Sequence, residues 1–167
     1  MYKRLNLKSA VTAALLSAMS IVLGKFLQIP IGISIRISFE SLPIILSSVL
    51  LGPVFGLLSG LVADLIGCLI AGYSVNPIIT LGCSLMGVLP YLFMRKRSPK
   101  FIFVAVILSH IICSMIIKTF GIIFYYGGGW GVVWSRVAVY AVIAPVEAYL
   151  VYLISKSIGK RFRNDLQ

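Results

Sequence analysis

Seven ionisable residues stand where apolar neighbours should forbid them: Lys25, Arg36, Lys118 and Arg136 among the bases, and Glu40, Asp64 and Glu147 among the acids. Asp64 is the sharpest case, one acid among sixteen apolar, glycine, serine or cysteine residues in GLLSGLVADLIGCLIAG, residues 56 to 72. In hydrocarbon an acid at a helix centre costs about 2.5 to 3.5 kcal/mol on insertion scales, and intramembrane ionisable groups usually mark a pathway or a ligand site. The chemistry on offer is that of recognition. A carboxylate such as Asp64 accepts two parallel N–H donors, as from a 2-amino-pyrimidinone or guanidinium edge, while Arg36, Lys118 and Arg136 suit carboxylate or carbonyl oxygens of the same ligand. Phe39, Tyr73, Tyr125, Tyr126, Trp130 and Trp134 offer rings to sandwich a flat heterocycle, and Asn76 both donates and accepts. The same aromatics also fit the interfacial belt of any membrane protein.

The elements that must position these residues follow from composition. The chain is 60% apolar and only 11% charged, with a mean hydropathy of +1.06, far from the roughly 25% charged usage of soluble domains. That predicts a multi-pass protein of the cell membrane, with residues 1–167 forming a single integral-membrane domain. At about 20 residues per crossing, the length allows roughly six or seven spans and no separate catalytic domain. The first apolar run continues past signal-peptide length without a convincing cleavage site, so it is expected to be a span. Cys68, Cys83 and Cys113 lie inside apolar runs and form no CxxC pair, which points to neither a disulfide framework nor a metal site. No cofactor is expected.

Breaks at QIPIGISIR, LGP, GYSVNP, RKRSPK and YYGGGWG predict an all-α bundle of six transmembrane helices near 8–29, 38–51, 53–72, 77–94, 101–125 and 132–156. The second, about 21 Å long, is short. Lys3, Arg4 and Lys8, then Arg95, Lys96, Arg97 and Lys100, then Lys156, Lys160, Arg161 and Arg163 would share one side of such a bundle, placing both termini in the cytoplasm. Topology thereby accounts for eleven of the fifteen basic residues and for most of the net charge of +11. Nucleic-acid binding is not needed to explain it.

Positions three or four apart share a helix face. Gly56, Gly60, Asp64, Gly67 and Ala71 form one stripe; His110, Ser114, Lys118, Gly121 and Tyr125 form another. Arg136, Tyr140, Ala144 and Glu147 make a third, and Thr80, Ser84, Gly87 and Tyr91 a fourth. Small residues in membrane helices mark the side that packs against protein, so Asp64 is expected to point inward. Counting 1.5 Å per residue from the outer surface places Asp64 roughly 12 Å, Lys118 roughly 10 Å and Arg136 roughly 6 Å down, with Arg36 and Glu40 flanking the second helix. These groups converge on a binding site or, alternatively, on a buried ion-pair network that only holds helices together. His110 and Glu147 fall level with each other below that cluster and are expected to pair. Lys25 is read as snorkelling to the interface, and GGGWG as an external lid rather than a nucleotide loop, since no strand precedes it.

In the first helix Ala10, Ala14 and Ala18 recur every fourth residue, beside a second small stripe of Ala13, Ser17, Ser20 and Gly24. Either surface lets another helix approach closely, from this chain or from a partner. Together with RISFESLPIILSSVLLGPVFGLLSGLVADLIGCLIAGYSVNP, this pattern resembles the substrate-binding S components of energy-coupling factor (ECF) vitamin transporters, and most of all the folate members. The resemblance implies high-affinity folate binding on the outer side, in a pocket of helix ends and the loops 30–37, 73–76 and 126–131. It also implies uptake with a membrane scaffold subunit (EcfT-like) and two cytoplasmic ATPase subunits, docked through Ala10, Ala14 and Ala18. The absence of a Walker A motif agrees with ATP hydrolysis by partners.

Folate suits the site read from the residues: a pterin edge for Asp64, cations for its oxygens, and Phe39 or a loop aromatic for the aminobenzoate ring. The substrate-binding set is therefore Asp64, Arg36, Lys118, Arg136, Phe39, Glu40, Asn76, Tyr73, Tyr125 and Trp130. Alternatives are an S component for another vitamin or flat heterocycle (riboflavin, thiamine, queuosine-like) and a stand-alone proton-coupled carrier. An enzyme is not expected, because His110 has no nucleophile constellation beside it.

Overall fold

The computed structural model describes residues 7–31, 35–94, 98–127 and 129–165, with the side chains of 30, 31, 35, 36, 99 and 158–165 outside that description. Helix α1 runs Leu7–Phe26 and leads into a short antiparallel hairpin, β1 Ile29–Ile31 and β2 Ile35–Ile37, in which Ile29 faces Ile37 and Pro30 faces Arg36. There follow α2 Ser41–Leu51, α3 Pro53–Ala71, α4 Pro77–Phe93, α5 Lys100–Tyr126 and α6 Trp130–Asp165. Lys3 and Arg4, Arg95 to Arg97, and Gly128 of the glycine loop lie outside the described residues.

The six helices stand near their expected places, but the expectation of six transmembrane spans is overturned. Among the described residues four helices, α1, α3, α5 and the Trp130–Ser157 part of α6, are long and apolar enough to cross a membrane. Helix α2 has 11 residues, about 16 Å, roughly half of a hydrocarbon core about 30 Å thick. Helix α4 is interrupted, its regular turns running Pro77–Met86 and resuming at Leu89–Phe93. Residues 38–40, expected as the start of α2, belong instead to the chain entering from the hairpin.

A helix that does not cross must be protected from lipid by protein. Every residue of α2 from Ser41 to Val49 is buried, and α1, α3 and α6 pack around it. Ile45, Met86, Val106, Ala148 and Val151 lie at the centre of the core that results. This explains why α2 is apolar all round: periodicity serves a helix with two environments, and α2 has one.

Local chemistry sets the turns. Gly52 adopts φ of 109°, open to glycine, and Pro53 takes the first turn of α3 where its missing N–H costs nothing. Gly72, left-handed at φ 67°, closes α3 while Tyr73 N–H donates to the Cys68 carbonyl. Helices α3 and α4 touch backbone to backbone: a methyl added at Gly56 would land on the Gly87 carbonyl, and one at Gly60 on that of Cys83. Two helices widen to bonding five residues back, α1 over Val22–Phe26 and α5 over His110–Ile117. Such turns often sit at functional sites, and here they carry Lys25 and adjoin Lys118.

Candidate functional site

The Gly56 and Gly60 part of the α3 stripe faces α4, while Gly67 faces Ile21 and Lys25 of α1. Asp64 turns toward α4: Thr80 Oγ donates to one carboxylate oxygen at 2.6 Å and the Cys83 thiol to the other at 3.4 Å. Asp64 therefore points into the protein and is satisfied by neutral donors. No cation lies within ion-pair distance of it among the described residues. Each oxygen keeps a second acceptor position, so the carboxylate can still receive a pair of N–H groups.

Lys118, only 5% exposed, reaches the Glu40 carboxylate at 3.1 Å. Two glycines make room for this pair, since a methyl at Gly82 would crowd the Lys118 stem and one at Gly24 the Glu40 carboxylate. Ser20 Oγ also donates to the Glu40 carbonyl at 2.6 Å, tying the entry of α2 to α1. Partial burial works against the charged form of Glu40, but Lys118, Lys25 and Arg136 outweigh it and hold the carboxyl below its ordinary range. Cys83 lies within electrostatic reach of Lys118, Glu40 and Asp64, so the two carboxylates belong to one connected cluster.

Arg136 crosses from α6 to α5. Its Nε donates to Thr119 Oγ at 2.9 Å and its Nη2 to the Ser114 carbonyl at 3.1 Å, with the guanidinium over the Tyr140 ring. The Ser114 carbonyl, inside the widened turn, also receives the Thr119 hydroxyl. Asn76 is spent on structure: its Oδ1 caps α4 by accepting from Ile78 and Ile79 N–H, and its Nδ2 donates to the Gly121 carbonyl.

Phe39 is half-buried beside Glu40, whereas Tyr73, Tyr125 and Trp130 are exposed, Trp130 by 80%. Arg36 stands on β2 with its side chain outside the description. Lys25, read from sequence as snorkelling to the outer interface, lays its stem against α3: a methyl at Gly67 would meet its Cε at 3.0 Å, and its ammonium lies 5.4 Å from the centre of the exposed Tyr73 ring just beyond the end of that helix. Only the pairing of Gly67 with a residue on another helix could have revealed this, and one sequence holds no such signal.

Below the cluster the expected pair is present. His110 Nε2 and Glu147 Oε2 are 2.8 Å apart, and Ser41 Oγ donates to Glu147 Oε1 at 3.0 Å. Both ionisable partners are essentially unexposed. On α1 the stripe Ala13, Ser17, Ser20 and Gly24 is buried, and Ala10, Ala14 and Ala18 point out of the bundle.

A model of the family described as "ECF transporter, substrate-specific component" matches residues 8–155. No curated protein sequence matches the chain. Among solved structures, one described as "Crystal structure of FolT bound with folic acid" superposes with a TM-score of 0.77 at 22% identity, covering 91% of this chain and 95% of that one. A second, described as the S component of a bacterial ECF transporter, gives 0.64 at 23% identity, covering 96% and 98%. At these identities the likeness is one of fold.

Proposed function

The chain belongs to the family of ECF transporter substrate-specific components, and on that premise we propose that it binds folate on the outer side of the membrane for uptake. It is accordingly a multi-pass membrane transport protein and not an enzyme. The observation that carries the folate reading is Asp64: a carboxylate turned into the bundle, held by Thr80 and Cys83, with no cation within ion-pair distance among the described residues. Two parallel N–H donors on the pterin edge complete its coordination. Phe39 and the exposed Tyr73, Tyr125 and Trp130 supply aromatic surface to the rings, and Lys118, Arg136, Arg36 and Glu40 set the charge around them. Asn76 contributes by fixing the start of α4, which carries Thr80 and Cys83.

The fold shared with the folic-acid-bound protein supports this reading. Transport further requires a membrane scaffold subunit and two cytoplasmic ATPase subunits, docked on the outward face of Ala10, Ala14 and Ala18, where small side chains allow close helix contact. The test is competition. Detergent-purified protein loaded with labelled folic acid is challenged with riboflavin, thiamine and unlabelled folic acid; only the last should displace the label at sub-micromolar concentration. Displacement by riboflavin or thiamine at lower concentration, or no folic acid bound at micromolar levels, would remove folate as the substrate.

A further inference from the structure

The site holds more cations than acids, and they are not equivalent. Lys118 is buried and neutralised by Glu40. Arg136 spends Nε and Nη2 on Thr119 and the Ser114 carbonyl. Lys25 alone among these three makes no side-chain hydrogen bond or ion pair among the described residues, and it acts on the Glu40 carboxylate at longer range. Its stem crosses to α3 and lies beside Gly67, with the ammonium carried on to the face of the exposed Tyr73 beyond the end of that helix.

Its position relative to Asp64 is fixed by α3. Gly67 lies three residues after Asp64, about one helical turn or 5 Å further along and turned toward α1 where Asp64 turns toward α4, and Tyr73 follows beyond the end of that helix. The thiol of Cys68, beside Gly67, lies within the field of both Asp64 and Lys25. The order along α3 is thus an acceptor, then a cation resting on an aromatic ring, then the loop. Contact with the ring steadies the ammonium without consuming its N–H donors.

We propose that Lys25, seated on Gly67 and Tyr73, forms a subsite for an anionic group on the ligand, so that the site selects molecules with a hydrogen-bonding heterocycle at one end and a carboxylate at the other. The proposal rests on the reading of the Asp64 region as the binding site, and adds to it the substrate class and the residue that discriminates. The heterocycle goes to Asp64 and the acidic tail toward Tyr73. Lys118 and Arg136, already engaged, set the background potential without gripping the tail. Gly67 leaves room for the lysine stem, since a methyl there would press on its Cε at 3.0 Å.

The test uses a series that shares a heterocycle and differs in acidic groups: folic acid with two carboxylates, pteroic acid with one, and 6-methylpterin with none. Affinities are measured by titration of the detergent-purified full chain, for the wild type, Lys25→Met and Lys25→Arg. Wild-type affinity should fall along the series. Lys25→Met should weaken folic acid tenfold or more and leave 6-methylpterin unchanged, which also shows that the variant is folded. Lys25→Arg should keep most of the preference. Equal loss for all three ligands, or no loss for folic acid, would overturn the subsite while leaving the folate reading intact. If the wild type binds no folic acid, folate fails as the substrate, and the subsite is judged by riboflavin against riboflavin 5′-phosphate and thiamine against its diphosphate. Preference for the phosphorylated member that Lys25→Met abolishes upholds it; preference for the unphosphorylated member, or one that survives the substitution, overturns it.

Discussion

Two groups of ionisable residues lie within this bundle, and they differ in exposure and in charge balance. The inner group, His110 and Glu147 with the Ser41 hydroxyl, is sealed: each residue is at most 4% exposed, and the carboxylate has a partner on both oxygens, while His110 Nδ1 is left without a hydrogen-bond partner among the described residues. The other group, Lys25, Glu40, Asp64, Lys118 and Arg136, is larger, partly exposed and unbalanced, with three cations and two acids. Tyr140 joins them, its ring 5.6 Å from that of His110 and 5.3 Å from the Arg136 guanidinium. An ionisable residue inside a membrane protein is thus not in itself a sign of a ligand. What separates a structural pair from a candidate site is unfilled acceptor or donor capacity next to an uncompensated charge.

That contrast can be broken experimentally, beginning where the effect should be greatest. Glu147→Ala strands Ser41 and His110 in the core and should cost about 3 to 5 kcal/mol, the usual loss when one member of a buried pair is removed. Thermal unfolding in detergent would show it as a large drop in midpoint, with Glu147→Gln much milder. If Glu147→Ala were as stable as wild type, the inner group would not be structural. Gly82→Ala, which pushes on the Lys118 stem, should disturb its contact with Glu40 and, through the potential that pair sets around the ligand, lower folic acid affinity about tenfold, the size of roughly one charge-assisted contact, with a much smaller change in unfolding midpoint. A collapse of stability without loss of affinity would reverse the roles assigned to the two groups.

Smaller effects sharpen the same line. Replacing Ala14 with Leu on the outward face of α1 should leave folic acid binding unchanged and impair co-purification with the scaffold subunit; loss of binding would mean that this face supports the pocket. Acid gives the mildest change. Because Glu40 is held below its ordinary value of 4.5, its contribution to stability is present above that pH and is lost only as pH falls further. The stability gap between wild type and Glu40→Gln should therefore stay constant down to about pH 4.5 and close below it. A gap closing at pH 6 would contradict the ion pair with Lys118.

Much of this arrangement is legible in the residues alone. The glycine stripe around Asp64 gave its direction, because only small residues let α4 approach, and spacing brought His110 level with Glu147. Helix existence follows from apolar runs, but span count does not: the run around α2 is apolar because other helices surround it, and hydropathy cannot distinguish that from lipid. The hairpin escaped notice because Ile29 and Ile31, then Ile35 and Ile37, alternate over strands of only three residues. The widened turns of α1 and α5 have no signature in the sequence, yet one carries Lys25 and the other ends at Lys118. Asn76 looks like a ligand-binding amide until its three backbone contacts are known.

The central claim is that Asp64 is held open for a ligand, and isothermal titration of folic acid into purified wild-type and Asp64→Asn protein tests it most directly. Asparagine keeps the size and can still accept from Thr80, but loses the charge and one acceptor oxygen. Affinity should fall by about 100-fold, the worth of two charge-assisted hydrogen bonds weakened together, while the unfolding midpoint without ligand stays within a few degrees. Undiminished affinity in Asp64→Asn would contradict the account.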